Sequence, residues 1–214
     1  TANERDALKE AILLLACVSL IACVFSTLDN VVTLANAQGM FDLSTWPRLL
    51  LAVSGIAAGF IFDLTKHRYS TVTILCVAMF SLVSALAIQT GSEVLLGLVI
   101  FYLSSGFFVV FFTSSFLRIA MRCANPSLWA GMGRAANNAC AALVAMPSMA
   151  LISSGDIMLI SSITITLAMV TLLVAHALEN VRHTARHKAE IEAIKLAELT
   201  AAQMQTAKPQ EEPE

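Results

Sequence analysis

The chain has 214 residues, of which 57% are hydrophobic and only 13% charged, and its formal net charge is -2. Water-soluble domains carry roughly 25% charged residues, so an ordinary soluble fold is excluded, and no nucleic-acid partner is expected. Mean hydropathy is +0.77, and the informative feature is the arrangement of the charges, because long stretches contain none.

A transmembrane helix needs about 20 mostly apolar residues to cross a hydrocarbon core of ~30 Å. Six stretches meet or approach that length. After a polar leader over residues 1–9, the first predicted helix covers 10–35 and is free of charge from 11 to 28. No cleavage-site pattern follows it, so it reads as a span rather than a signal peptide. The start at Thr1 rather than Met suggests a processed chain or a fragment. The second helix covers 45–64 and carries Arg48 near its start, where an interface anchor is expected. The third covers 71–90, the fourth 94–120, and the fifth 127–153 with Arg134 inside it; the sixth, 157–178, is uncharged. Short connections make consecutive helices antiparallel neighbours. No strand alternation competes with them. The fold class expected is therefore all-α, a polytopic membrane protein built as a six-transmembrane-helix bundle over residues 10–179. A cytoplasmic tail, 180–214, follows. Its part from 182 to 199 should be helical, with a ragged apolar stripe of Ile191, Ile194, Leu196 and Leu199, and the Pro- and Glu-rich end after Ala207 should be disordered.

Orientation follows from charge placement. Arg5 and Lys9 precede the first helix, Lys66 and Arg68 follow the second, Arg118 and Arg122 follow the fourth, and Arg182, Arg186 and Lys188 follow the sixth. The opposite connections carry Asp42, Glu93 and Asp156. Lys and Arg are retained on the cytoplasmic side, so both termini are expected there, in a multi-pass protein of a cytoplasmic (inner) or plasma membrane.

One segment carries a signature. Gly55 and Gly59 are four residues apart and would admit a close neighbouring helix. Asp63 ends the run, and the basic turn Lys66, His67 and Arg68 follows. The segment resembles the G-x-x-x-D-x-x-G-R-R motif between the second and third helices of each half of major facilitator superfamily transporters. Gly59 and Asp63 match, His67 and Arg68 stand in for the basic pair, and Lys66 replaces the family's second glycine. The basic connection with Arg118 and Arg122, and the fifth helix with Gly133 and Pro147, lie where the family has comparable features. Tyr102 stands where a first-half copy often carries arginine, which favours the C-terminal half.

The resemblance implies one half of a secondary transporter that moves a small molecule or ion by alternating access. Its partners would be the lipid bilayer and a second six-helix half, either upstream in the same polypeptide or in another subunit. The first and fourth helices would line the pathway, and the motif around Asp63 would stabilise one gate state.

Polar side chains in membrane helices are costly and mark candidate pathways. Here they are Asp29 and Asn30 on the first helix, Tyr102 and Ser105 on the fourth, and Arg134, Asn137 and Asn138 on the fifth. Each has a plainer reading: Asp29 hydrated at the outer interface, Ser105 bonded back to its own helix, and Arg134 extended to the headgroups. The alternative function is a multi-pass membrane sensor or signalling module coupled to a cytoplasmic partner. A membrane enzyme is disfavoured, since no phosphate-binding loop or nucleophile–base pair is present in sequence. No cofactor or metal is expected. The five cysteines form no C-x-x-C pair, and His183 and His187 fit a solvated tail.

Overall fold

The computed structural model describes residues 2–39, 46–64, 74–76, 79–80, 83 and 94–206. Among these, five long helices occur and no strand. They are α1 (Ala2–Ala37), α2 (Trp46–Leu64), α3 (Val94–Ala120), α4 (Pro126–Ser153) and α5 (Ile157–Thr206). α3, α4 and α5 correspond to the fourth, fifth and sixth predicted spans. The predicted third helix lies outside the described residues except at 74–76, 79–80 and 83, which are helical. Lys66, His67 and Arg68 lie outside them altogether.

Four helices, α1, α3, α4 and α5, contain stretches long and apolar enough to cross a membrane, and the apolar part of α2, Leu49–Leu64, is shorter. Their outer surfaces fit lipid rather than water. Leu49, Val53, Ile56, Phe60 and Leu64 on α2, and Leu143 and Met146 on α4, are all exposed. The apolar composition and length are those of a multi-pass membrane protein.

α1 is the hub, packing against α3, α4 and α5, while α2 packs on α3 and α3 on α4. Its central place follows from sequence spacing. Ala7, Ala11, Leu14, Val18, Ile21, Phe25, Leu28 and Val32 alternate steps of four and three, and all are buried. Such a repeat keeps one face of a helix turned to its neighbours. A second buried row one position away runs Glu10, Cys17, Val24 and Val31.

α3 answers α1 with aromatic rings. Phe25 stacks on Phe108 at 5.0 Å, and Phe108 meets Phe112 edge-on at 5.1 Å. Among the described side chains of α2, those of Ser54, Ala58 and Phe62, one turn apart, are buried, and the helix packs against α3. The two backbones meet at Gly106. A Cβ there would lie 2.7 Å from the Leu51 carbonyl oxygen and 2.9 Å from the Gly55 nitrogen. Gly55 thus stands at the close approach through its backbone nitrogen, and a Cβ of its own would be in ordinary contact with Val110; among the described residues a Cβ on Gly59 would meet nothing.

Two boundaries differ from expectation. The leader is helical and continuous with α1 from Ala2. The tail helix is not a separate element, since α5 runs unbroken for 50 residues, about 75 Å at 1.5 Å per residue. Neither Gly nor Pro interrupts Ile157–Thr206, so nothing in the backbone forces a break where hydropathy falls. Its start is set locally. Gly155, at φ +67°, reverses the chain after α4, and the Leu159 N–H donates to Asp156 Oδ1 at 3.1 Å as a helix cap.

Gly106→Ala is expected to destabilise the protein by about 1–3 kcal/mol, the usual cost of overpacking. Gly59→Ala should leave it unchanged or slightly more stable. Thermal melting of both variants in detergent checks the contrast.

Candidate functional site

Two groups of polar side chains stand out, at opposite depths. The first forms where buried stripes run out of apolar residues. On α1 the row Val31, Val24, Cys17 ends at Glu10; on α5 the row Thr171, Ala175, Leu178 ends at Arg182. Both stripes therefore deliver a charged group to the same buried place. Arg182 Nε donates to Glu10 Oε1 at 2.9 Å, with both side chains 7% exposed. Arg122, in the turn after α3, donates to Glu10 Oε2 at 2.5 Å. One carboxylate thus joins α1, the end of α3 and α5. Farther out, Lys188 donates to Asp6 at 3.0 Å.

A cavity of about 380 Å³ opens beside this bridge, lined by Glu10, Ser115, Arg118, Arg122, Arg182 and Arg186 among others. Burial pushes the nearby Cys123 thiol up, against the opposing pull of Arg122.

The second group lies deeper. A cavity of about 240 Å³ is lined from α1 by Ser26 and Asp29, from α3 by Tyr102 and Ser105, and from α4 by Asn137, over a floor that includes Phe25 and Phe108. It begins at Ala22, about 18 Å along α1 from Glu10. Four sequence candidates (Asp29, Tyr102, Ser105 and Asn137) therefore converge. Ser105 also donates to the Phe101 carbonyl at 2.9 Å, the back-bonding its type favours. Tyr102 is flanked by Phe101 at 5.2 Å and Trp46 at 6.3 Å, which fixes its ring.

The remaining candidates separate. Asn30 donates to Ser148 Oγ at 2.5 Å, pinning α1 to α4 just beside Pro147. Arg134 and Asn138 are exposed on α4, away from the lining. Asp63 is exposed at the end of α2 and makes no ion pair with Arg134. Among the described residues no cluster of His, Cys, Asp and Glu is placed to hold a metal.

In the sequence Glu10 reads only as the edge of the first span and Arg182 only as an orienting charge. The available signal was spacing: Glu10 stands seven residues before Cys17, and Arg182 four after Leu178, each in step with the buried row. No family model, curated protein or solved structure matches the chain.

Glu10→Gln is expected to cost roughly 3–5 kcal/mol, the loss typical when half of a buried ion pair is removed. Lys188→Ala should leave stability unchanged, because its exposed pair with Asp6 is screened by solvent. Melting of both variants in the same detergent checks the difference.

Proposed function

We propose that the chain is one six-helix half of a secondary transporter resembling the major facilitator superfamily, moving a small solute by alternating access. The observation that carries this reading is the inner cavity. Polar groups are expensive in membrane helices and are retained where they line a pathway, and Asp29, Tyr102, Ser105 and Asn137 reach one cavity from three helices.

The helix pairing supports the same reading. Each half of the family contains two three-helix repeats of opposite topology. That symmetry exchanges the first helix with the fourth and the second with the fifth, so a contact between first and fifth implies one between second and fourth. α1 packs on α4, and α2 packs on α3, which is that reciprocal pair. Gly59, open among the described residues, and the exposed Asp63 suit contact with a second half. The basic end, with Arg122 and Arg182, is then cytoplasmic by the positive-inside rule, along with both termini.

A second reading, a membrane sensor, draws on α5. A helix that continues far beyond the hydrocarbon is a direct mechanical link to a cytoplasmic partner.

Accessibility separates the two. In a background with the native cysteines replaced, Ser105→Cys is expected to react with a membrane-impermeant maleimide from both faces, tested in right-side-out and inside-out vesicles. Labelling confined to one face, or absent until unfolding, would remove the alternating-access reading and favour the sensor.

A further inference from the structure

The cavity at the basic end is electrostatically unbalanced. Four guanidinium groups, Arg118, Arg122, Arg182 and Arg186, line it against the single carboxylate of Glu10. Both oxygens of that carboxylate are already engaged, one by Arg182 and one by Arg122. Nothing acidic in the lining remains for Arg118 and Arg186.

Two buried polar atoms sharpen the imbalance. Arg118 Nε and Ser115 Oγ have no hydrogen-bond partner among the described residues, and Ser115 is 1% exposed. Both residues line the cavity. A buried donor left unpaired costs about 1–3 kcal/mol, so the empty arrangement is unfavourable twice over. The remedy for both is one group that is negative, compact and rich in acceptor oxygens. Guanidinium forks match phosphate oxygens in geometry and charge, and a serine hydroxyl adds a donor.

The depth is right for such a group. The cavity sits where α1 enters and α3 leaves the apolar zone. Basic pockets between membrane helices at that level accept anionic headgroups.

We infer that the arginine-lined cavity is an anion site that binds a phosphate group, presented either by a lipid headgroup or by a soluble phosphorylated compound, with Arg118, Arg186 and Ser115 completing its coordination. Such a site joins the ends of α1, α3 and α5, so occupancy tightens the basic end of the bundle.

The experiment measures the melting temperature of the full chain in dodecyl maltoside, with two arms. One arm titrates inorganic pyrophosphate against sodium chloride of equal ionic strength; the other adds phosphatidylglycerol against phosphatidylcholine. A rise in the lipid arm alone assigns the site to a headgroup, a rise with pyrophosphate alone to a soluble phosphate, and a rise in both to the phosphate itself. Arg118→Gln, which leaves the Glu10 bridge intact, should weaken the apparent affinity about tenfold, as expected for a lost charge-assisted hydrogen bond. Lys195→Gln, on the exposed far part of α5, should not. The inference is overturned if neither arm raises the melting temperature, or if the rise persists undiminished in Arg118→Gln.

Discussion

The carboxylate of Glu10 sits where three helix ends must agree on a depth. A single carboxylate in hydrocarbon is unfavourable, and the attraction that offsets its desolvation strengthens as the surroundings become less polar. Arg182 meets it from α5 and Arg122 from the turn after α3. The bridge therefore ties the relative register of α1, α3 and α5, something apolar packing alone specifies weakly. α4 follows, because only a short turn separates it from α3. Toward the other end, Asn30 donating to Ser148 and Ser26 donating to the Ala141 carbonyl at 3.5 Å join α1 to α4.

That packing is uneven, and the unevenness makes room for chemistry. α1 and α3 interlock through stacked and edge-on rings, with Phe25 and Phe108 nearly parallel at 4°. α4 instead contributes small residues, and Gly133 lets Phe116 and Phe112 press against its backbone. Large rings on one side and small groups on the other leave a gap above Phe25 and Phe108. Polar side chains from three helices occupy its walls. The rigid aromatic floor and the loosely filled space over it belong to one design.

Much of the helical architecture was legible in the sequence because lipid leaves little choice: an uncharged run of some twenty residues has to satisfy its backbone internally. α1, α3, α4 and α5 follow from composition, and the residues chosen for their cost in lipid include four that share a cavity. What escaped was long-range. Glu10 borders an apolar run and so reads as its boundary, and its burial depends on groups 112 and 172 residues away. Gly55 announces a close helix contact, and the residue that meets its backbone, Gly106, is one that no local pattern identifies. The tail looked like a second helix because hydropathy drops near Glu179. Hydropathy reports the solvent around a helix, however, and not its continuity; α5 passes from one solvent to the other without a joint.

That unbroken passage makes α5 a lever with its fulcrum at Arg182. From there to Thr206 the helix extends roughly 36 Å. A tilt of about 10° in the embedded portion sweeps the far end by roughly 6 Å on the same geometry. A rearrangement too slight to register among the packed rings of α1 and α3 would, on this geometry, be magnified several-fold at the far end of the helix.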